Sequence, residues 1–306
     1  MNILVGSTGF IGSNLARQYS FDGLFHSPNI EDAFGSRPDI CFYAGVPAQK
    51  FMANRFPLED KRVIFTAMEN IRKINPRQLV LISTIDVLSN PDKADEVTVI
   101  KQTELQPYGL HRYILEEWVG INCKDYCIIR LPALFGDNLK KNFIFDIINV
   151  IPTMLSKDKY DLLLAKDDYI KPFYNLLDNG MYVCKPINKE ERSALRGYFE
   201  QAEFNAVYFT DSRASFPFYN LEYLRRHIDI ALAKDIKLLH LAVEPIRADE
   251  VYRMVKGKTF INEFDHYPVN YDFHTLYAKM FGGSGGYIFK KEQILQEIKS
   301  FVEVNG

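Results

Sequence analysis

The chain has 306 residues, of which 47% are hydrophobic and 25% are charged. These proportions are ordinary for a globular protein with a substantial core, and the length allows one large domain or two smaller ones. The formal net charge of −2 gives no sign of a basic surface, so the composition argues against a nucleic-acid partner and against an anionic membrane surface.

The first half of the chain alternates short apolar runs with segments of helical spacing. Strands are predicted at "NILVG", "DICFYAG", "QLVLIST" and "YCIIRLPALFG", and helices between them at "FIGSNLARQYS", "LEDKRVIFTAMENIRKIN" and "YGLHRYILEEWVGIN". Residues 13–38 are few for a helix, an extra strand at "LFHS" and the return, so that strand must be short. Because apolar strands alternating with helices are typical of a parallel sheet covered on both faces, we predict an α/β fold with a doubly wound parallel sheet.

The pattern is less regular after Gly136. Helices are predicted at "DNLKKNFIFDIINVIPTML", "KEERSALRGYFEQA", "FYNLEYLRRHIDIALAKD", "EPIRADEVYRMVKG" and "KEQILQEIKSFV", and "IKLLHLAV" is predicted to rejoin the sheet as a strand. We therefore expect a sheet domain made of residues 1–135 plus about 215–245. A smaller, interleaved C-terminal lobe is expected from residues 136–214 plus 246–306.

A glycine-rich loop lies between the first predicted strand and the first predicted helix. In "GSTGFIG", Gly6, Gly9 and Gly12 stand at GxxGxxG spacing. Glycines permit a tight turn and let backbone N–H groups approach a pyrophosphate at a helix N-terminus. The pattern predicts dinucleotide binding, and a turn used only for packing is the alternative. The candidate cofactor ligands here are Gly6, Ser7, Thr8, Gly9, Phe10, Ile11 and Gly12.

The choice between NAD and NADP depends on the segment after the short extra strand. NAD enzymes usually place Asp or Glu there to hold the ribose 2′-OH. This chain has His26 and Ser27 instead, which removes repulsion against a 2′-phosphate, but no adjacent arginine compensates that phosphate. Both cofactors remain open, and we favour NADP.

Five motifs in order carry a family resemblance: "GSTGFIG", "FYAG", "LIST", "PYGLHR" and "RLPALFG". Together they resemble the extended short-chain dehydrogenases/reductases, in the group of nucleotide-sugar epimerases, dehydratases and reductases. The resemblance covers most of the chain and is poor over residues 156–216. It implies a dinucleotide-binding Rossmann domain with Ala44 and Gly45 at the cofactor, a substrate-binding lobe, and a homodimer formed through helices 58–75 and 108–122.

The resemblance also implies a catalytic Thr84, a catalytic Tyr108 and a cation at position 112. Family members carry lysine at that position, whereas this chain carries Arg112. A tyrosine with a pKa of ~10 can exchange a proton with a sugar oxygen near neutral pH if a nearby cation favours the phenolate. Arginine keeps the charge but cannot release its proton. The alternatives are a surface pair of Arg112 with Glu116 and a Tyr108 without a chemical role.

The residues after Thr84 bear on the type of reaction. The 4,6-dehydratases of this family follow the catalytic threonine with Asp and Glu, whereas Ile85 and Asp86 follow it here. Without the acid, water elimination lacks its proton donor, so the resemblance disfavours a dehydratase. We consider Asp86 a candidate base or sugar-hydroxyl ligand, with a turn residue as the alternative.

The substrate side departs from the family at Ala133, where many members carry an asparagine that contacts the sugar nucleotide. Candidate ligands for a diphosphate are Lys140, Lys141 and Asn142 in "NLKKN", with Arg225 as a further phosphate ligand. Solvated lysines at a helix start are the alternative for the first group.

Cysteine and histidine spacings give no metal motif. The four cysteines contain no CxxC pair, and the six histidines form neither HExxH nor a Cys/His zinc spacing. No apolar run approaches the ~20 residues of a membrane span. We expect free thiols in a reducing cytoplasm, no metal and no membrane partner.

Taken with the resemblance, these features predict an NAD(P)-dependent oxidoreductase or epimerase that acts on a nucleotide-linked sugar, for example in polysaccharide biosynthesis. Hydride transfer would occur at a sugar carbon with Tyr108 as acid or base, and the short extra strand resembles that of 4-keto-sugar reductases. The alternative is a non-catalytic dinucleotide-binding protein of the same fold, and a scaffold without ligand is the third reading.

Overall fold

The computed structural model of the protein describes residues 1–202 and 204–306. The strands in chain order are β1 (Asn2–Val5), β2 (Gly23–Phe25), β3 (Ile40–Tyr43), β4 (Gln78–Thr84), β5 (Tyr126–Leu131), β6 (Ala133–Phe135), β7 (Met154–Leu155), β8 (Tyr174–Leu176), β9 (Tyr182–Cys184), β10 (Ser215–Phe216), β11 (Phe218–Asn220), β12 (Leu238–His240) and β13 (Ile246–Arg247). The α-helices are α1 (Phe10–Gln18), α2 (Lys50–Arg55), α3 (Pro57–Ile74), α4 (Pro107–Asn122), α5 (Phe143–Asn149), α6 (Lys157–Leu164), α7 (Lys189–Gln201), α8 (Leu224–Ala233), α9 (Ala248–Lys256) and α10 (Lys291–Asn305).

Six of these strands form one parallel sheet in the order β2-β1-β3-β4-β5-β12. The chain passes from β1 outward to β2 and then crosses to β3 on the other side of β1. This reversal is the topological switch point at which doubly wound sheets bind ligands, beyond the carboxyl ends of the strands. The predicted α/β, doubly wound Rossmann-type sheet is confirmed, with the extra strand β2 only three residues long at the sheet edge.

Both faces of the sheet are buried, which explains why its strands read as continuous apolar runs. Along β1, for example, Ile3 and Val5 pack in a core with residues of α3 and α4, whereas Leu4 points to the opposite face and is also fully buried. The amphipathic α3 contributes Ile64 and Ile71 to this core. Burial of this kind is worth ~1.5–3 kcal/mol for each large aliphatic side chain.

Several predicted elements differ from the structure. The predicted helix at "DNLKKNFIFDIINVIPTML" is helical only over Phe143–Asn149 and ends in β7, and the one at "EPIRADEVYRMVKG" begins only at Ala248, after β13. The run "YCIIRLPALFG" is two strands, because β5 ends at Leu131 and β6 begins at Ala133, after Pro132. Proline has no N–H for the ladder, so the chain leaves the central sheet there, and β6 pairs in parallel with β11. The predicted helix at "FYNLEYLRRHIDIALAKD" begins only at Leu224, since its first residues form β11 and a 3-10 turn.

The chain divides into two compact units. The first contains Met1–Leu139, Ser215–Ile246 and Asn270–Glu297, and holds the central sheet. The second contains Lys140–Ala214, Arg247–Val269 and Ile298–Gly306. Residues 270–297, which the sequence-based division placed in the second lobe, cluster with the sheet unit. The assignment of a dinucleotide to one unit and a substrate to the other stays a prediction.

The second unit has an aromatic core of its own. Buried side chains of its helices and of a small antiparallel sheet, ordered β7-β9-β8, form one cluster. The ring of Tyr160 stacks on that of Tyr182 with centroids 3.7 Å apart, and Leu195 and Phe199 of α7 complete the packing. Such stacked pairs add ~0.5–1.5 kcal/mol beyond the burial of their area.

None of the helices described in residues 1–202 and 204–306 is both long and apolar enough to cross a membrane. Within the same residues, no group of three or more His, Cys, Asp or Glu side chains is placed to hold a metal ion. The four cysteines are free thiols.

Candidate active site

The glycine loop makes two backbone approaches that a side chain would block. Gly6 has a φ of +87°, and a Cβ built on it would lie 2.4 Å from the carbonyl oxygen of Ala44. A Cβ on Gly12 would lie 2.1 Å from the carbonyl oxygen of Gly6. The loop therefore folds tightly between β1 and α1 and against the end of β3, which brings the predicted cofactor segments "GSTGFIG" and "FYAG" together.

The first turn of α1 is arranged as an anion site would be. Thr8 and Gly9 are exposed, and α1 begins at Phe10 without a side-chain cap and without an acidic residue in its first turn. The uncapped N–H groups of a helix start carry partial positive charge and can bind a phosphate. Phe10 and Ile11 lie in this turn, and the loop residues fit a dinucleotide pyrophosphate.

The segment after β2 closes the other side of the loop. The carbonyl oxygen of Phe25 accepts hydrogen bonds from the backbone N–H groups of Gly6 and Ser7, at 2.8 and 3.1 Å. His26 and Ser27 follow directly, and Ser27 opens a 3-10 helix. On the other side Gly45 continues from Ala44, whose N–H donates to Val5 O. The predicted cofactor residues therefore converge at the carboxyl ends of β1, β2 and β3, and their contact with a cofactor stays a prediction.

Thr84 and Asp86 lie at the carboxyl end of β4, which neighbours β3 in the sheet. The Thr84 hydroxyl accepts a hydrogen bond from the Asp86 N–H at 3.2 Å in a turn over Ile85–Val87. The Asp86 carboxylate accepts one from the ammonium of Lys50 at 2.6 Å and one from the hydroxyl of Tyr271 at 3.3 Å. Asp86 is therefore a turn residue by its backbone and a member of a charged cluster by its side chain.

Tyr108 is buried in the first turn of α4, where Pro107 begins the helix. Its backbone N–H donates to the side-chain oxygen of Asn54 in α2 at 2.9 Å, so a residue of another helix caps this end of α4. Burial raises the pKa of the Tyr108 phenol. The charge of Arg112 lowers this pKa, Asp86 raises it, and the Thr84 hydroxyl and Lys50 lower it by smaller amounts. At neutral pH Tyr108 is a protonated phenol.

Arg112 is fixed by the protein on several sides. Its Nη1 donates to Asp60 at 2.6 Å and to the carbonyl of Tyr108 at 3.2 Å, and its Nη2 donates to the carbonyl of Pro47 at 2.7 Å. The guanidinium carbon lies 3.9 Å from the centroid of the Tyr108 ring, in cation–π geometry. The surface pair with Glu116 considered from the sequence is wrong, because Arg112 is only 5% exposed and pairs with Asp60.

Glu116 belongs to a second buried pair on α4. Its carboxylate binds the guanidinium of Arg130 at 2.6 Å, and both side chains are 4% exposed. Ser83 donates to the same carboxylate. Arg130 Nη1 lies 3.0 Å from His240 Nε2, while His240 Nδ1 lies 3.0 Å from the carbonyl of His274. Because a guanidinium can only donate and a carbonyl can only accept, His240 is neutral with its proton on Nδ1.

The predicted substrate ligands are distributed over both units. Lys140, Lys141 and Asn142 belong to the second unit, where the Asn142 side-chain oxygen accepts from the N–H groups of Ile144 and Phe145 and caps α5. Arg225 belongs to the first unit. Its guanidinium lies 3.5 Å from the ring centroid of Tyr19 and bonds Asp229. Their contact with a substrate stays a prediction.

Four residues of the site escaped sequence reasoning: Lys50, Asn54, Gly109 and Tyr271. Lys50 could have been found, because "VPAQK" follows β3 at the carboxyl edge of the sheet, where ligands bind. A Cβ on Gly109 would lie 2.0 Å from the carbonyl oxygen of Asp86, so α4 touches the turn after β4 only because position 109 is glycine. Tyr271 is far along the chain and no local pattern marks it.

No protein-family model matches the chain, and no curated protein matches its sequence. Solved structures do match its fold. The dTDP-4-dehydrorhamnose reductase of Yersinia enterocolitica has a TM-score of 0.65 and 12% identity, with 100% of this chain and 99% of that chain covered. The dTDP-4-dehydrorhamnose reductase of Bacillus anthracis, solved in complex with NADP, has a TM-score of 0.65 and 15% identity, with 99% and 97% covered.

A UDP-glucose 4-epimerase of Thermotoga maritima, solved with UDP-glucose, has a TM-score of 0.59 and 12% identity, with 99% of this chain and 98% of that chain covered. At 12–15% identity this likeness shows that the chain shares the α/β fold of these sugar-nucleotide reductases and epimerases.

Proposed function

We propose that the protein is an NAD(P)-dependent oxidoreductase that reduces a ketone of a nucleotide-linked sugar. The observation that carries the proposal is the pair of Thr84 and Tyr108 at the carboxyl end of β4, on the sheet edge where the glycine loop also lies. A hydroxyl next to a buried phenol suits the binding and protonation of a sugar oxygen.

The proposed cofactor ligands are the loop Gly6–Gly12, the segment His26–Ser27, and Ala44 with Gly45. Bound there, the nicotinamide supplies the hydride. A dinucleotide is supported by the two backbone approaches at Gly6 and Gly12 and by the uncapped start of α1. We favour NADP over NAD because His26 and Ser27 stand directly after β2, where NAD enzymes carry the acid that binds the ribose 2′-OH, and Glu31 and Asp32 come only later.

In the proposed reaction the Thr84 hydroxyl donates a hydrogen bond to the ketone oxygen of the sugar. Tyr108 would give its proton to that oxygen when the carbon is reduced, and the guanidinium of Arg112, 3.9 Å from the centroid of its ring, would face the phenolate left behind. Reduction needs the protonated phenol, whereas the opening oxidation of an epimerase needs the phenolate. The short strand β2, which resembles that of 4-keto-sugar reductases, favours reduction over epimerisation, and the protonated phenol that burial maintains at Tyr108 is consistent with it.

Other features bear on the substrate. Water elimination of the 4,6-dehydratase type lacks its proton donor, because Ile85 is apolar and buried at the position of the acid. We propose Asp86 as a ligand for a sugar hydroxyl, and Lys140, Lys141, Asn142 and Arg225 as ligands for the diphosphate. Solved neighbours of the same fold are named for dTDP-linked and UDP-linked sugars, which makes these compounds the first probes. We place the reaction in the cytoplasm.

The test is the oxidation of NADPH and NADH, followed by absorbance, with dTDP-4-dehydrorhamnose as substrate. Wild type is expected to turn over, and Tyr108→Phe is expected to lose ~10²–10⁴-fold in kcat. Tyr113→Phe, on the same helix, is the matched control and should keep full rate. Turnover that survives Tyr108→Phe within a few-fold would refute the role of Tyr108.

A second candidate is a non-catalytic dinucleotide-binding protein of this fold. One observation favours it: three of the five N–H groups of Arg112 are directed to protein acceptors, so the cation at this position serves the structure. Calorimetric titration with NADP(H) and NAD(H), together with native mass spectrometry of co-purified ligand, separates the two candidates. Tight cofactor binding without turnover of dTDP-linked or UDP-linked sugars would favour the second.

We also propose a homodimer formed through α3 and α4. Apolar side chains on these helices are exposed: Leu58 and Phe65, two turns apart on one face of α3, are 68% and 54% exposed, and Ile121 of α4 is 83% exposed. Light scattering should give twice the mass of one chain. The double variant Leu58→Lys/Phe65→Lys should be monomeric, whereas Val99→Lys, at a more exposed position off these helices, should stay dimeric.

A further inference from the structure

Lys50 forms a charged cluster at the carboxyl end of β4 with Asp86 and Tyr271, here called the Lys50 cluster. Its ammonium donates to the Asp86 carboxylate at 2.6 Å and to the Tyr271 hydroxyl at 3.0 Å. Lys50 is 46% exposed and Asp86 21% exposed, so the cluster is open to solvent on one side. Partial burial disfavours the ammonium, but Asp86 and Tyr271 together raise the pKa of Lys50, so it is charged at neutral pH.

Two hydrogen bonds connect the start of α4, which carries Tyr108, with α2 and the segment before it. Asn54 of α2 accepts a hydrogen bond from the backbone N–H of Tyr108, and Lys50 lies four residues before Asn54, on the same face of that helix. Arg112 donates to the carbonyl of Pro47, in the segment that leads into α2. Arg112 therefore anchors the segment that leads to Lys50.

The partner of Lys50 is tied to the same end of α4. Gly109, next to Tyr108, lets the carbonyl oxygen of Asp86 approach the helix to within 2.0 Å of where a Cβ would be. The carboxylate of Asp86 and the hydroxyl of Tyr271 each accept a hydrogen bond from the ammonium of Lys50, a side chain that is 46% exposed. Three segments distant in the chain thus bring together one cation, one carboxylate and one phenol.

We propose that Lys50 is a second cation, in addition to Arg112, that offsets the negative charge left on the Tyr108 oxygen, and that Asp86 and Tyr271 hold its ammonium in place. Lys50 is then a positioning residue that acts through Tyr108. The proposal deepens the proposed function and rests on it for its catalytic meaning. The electrostatic effect itself can be measured without a substrate.

The charges around Tyr108 fix the sign of the expected effect. Arg112 faces it from α4, backed by Asp60 and His111, Asp86 faces it from the turn after β4, and Lys50 from α2. Removal of Lys50 takes away a charge that favours the phenolate and leaves the Asp86 carboxylate uncompensated. Both changes make the phenolate less stable.

The test is a pH titration of Tyr108 by 19F NMR in protein labelled with fluorotyrosine, with the signal assigned by its loss in Tyr108→Phe. Lys50→Met should raise the pKa of this residue by about 1 unit, and Asp86→Asn should lower it. Lys50→Arg should keep the wild-type value, because only the charge matters. In the double variant Lys50→Met/Asp86→Asn the two shifts should largely cancel.

Lys237→Met is the matched control. Lys237 is also a half-exposed lysine in hydrogen bonds with aspartates, but it lies before β12, at the amino end of the sheet. It should leave the Tyr108 titration unchanged. Lys50→Gln serves as a second neutral variant, and circular dichroism checks the fold of each.

An unchanged Tyr108 titration in both neutral variants would overturn the inference, whether or not the protein turns over a sugar. If wild type proves inactive while Lys50→Met shifts the titration, the electrostatic role stands and the proposed function fails. If turnover is found, the falling alkaline limb of kcat should move to higher pH in Lys50→Met, and return in Lys50→Arg.

Discussion

Two cations lower the pKa of Tyr108, and their surroundings differ in kind. Arg112 is 5% exposed and donates to Asp60 and to two backbone carbonyls, while its face covers the phenol ring. Lys50 is 46% exposed and shares its hydrogen bonds with Asp86 and Tyr271, side chains that solvent also reaches. A cation enclosed by fixed acceptors stabilises one structure, whereas a half-exposed cation can respond to charge that appears next to it.

A second enclosed cation, Arg130, pairs with Glu116 further along α4. Glu116 and Arg130 are buried together with Ser83 and a neutral His240, as Arg112 and Asp60 are buried with His111. One helix therefore carries two closed ion pairs, with Asp60 of α3 and with Arg130 of β5, and its first turn touches the turn that carries Asp86. The buried ion pairs favour a structural role for most of α4, and the proposed chemistry concerns only its first turn.

The largest expected effect is on stability, from the enclosed cation. Arg112→Met leaves the Asp60 carboxylate buried without its main partner, and loss of one member of a buried pair costs about 3–5 kcal/mol. Lys50→Met, which removes a half-exposed cation, should cost less than about 1 kcal/mol. Urea denaturation of both variants measures the difference. Equal losses would show that the two cations are not different in kind.

The next largest effect should be a loss of folding stability at low pH, caused by two buried histidines. Burial, with the charge of Arg130, lowers the pKa of His240 to about 3, and burial with Arg226 lowers that of His227 to about 4. Both bind a proton in the unfolded chain near pH 6.5 and resist it in the folded one. Their stabilisation is complete above that pH and is lost as pH falls toward 4 and 3, by about 2 kcal/mol per histidine at pH 5.

Replacement of one histidine tests this slope. His227→Phe keeps a ring of similar shape among Tyr219, Tyr223 and Phe289, although it loses the 2.8 Å hydrogen bond to Tyr219. Its free energy of unfolding should be lower at pH 7.5 but should fall less between pH 7.5 and pH 5 than that of wild type. The same slope in both proteins would contradict the role of His227.

Gly109 near the start of α4 and Gly120 near its end should respond in opposite ways to substitution by alanine. Gly109→Ala pushes a methyl group into the Asp86 carbonyl, so we expect a loss of about 1–3 kcal/mol and a displaced Lys50 cluster. Gly120→Ala meets nothing closer than 3.5 Å and should gain about 1 kcal/mol from helix propensity. Thermal denaturation of the two variants measures both changes in stability. A stabilised Gly109→Ala would mean that the turn can move away from α4.

Much of this arrangement could be predicted from the sequence, for identifiable reasons. Buried parallel strands appear in the sequence as apolar runs, and these runs predicted the sheet. Ligands bind such sheets at the carboxyl ends of the strands, and this predicted the location of Thr84 and the glycine loop. The partners of Arg112 could not be predicted, because Asp60 lies 52 residues earlier on another helix and its carboxylate has no local signature. Ion pairs across helices depend on packing angles, and periodicity does not encode them. The contribution of Tyr271, 185 residues from Asp86, depends on the same kind of information.

The smallest expected effect comes from Tyr271→Phe, and it tests whether the open cluster is organised or merely charged. Burial and Asp86 raise the pKa of Tyr271, so its hydroxyl keeps its proton and can donate to Asp86 while it accepts from Lys50. Loss of this hydroxyl should cost about 0.5–1.5 kcal/mol at most, since water can replace it at the exposed side. The two charges remain, so the Tyr108 titration should move less than in Lys50→Met and in the same direction, because a less constrained ammonium spends less time beside the phenol. Tyr267→Phe, at a fully exposed tyrosine, is the control. A shift as large as that of Lys50→Met would mean that the hydroxyl of Tyr271, and not the charge of Lys50, sets the proton affinity of Tyr108.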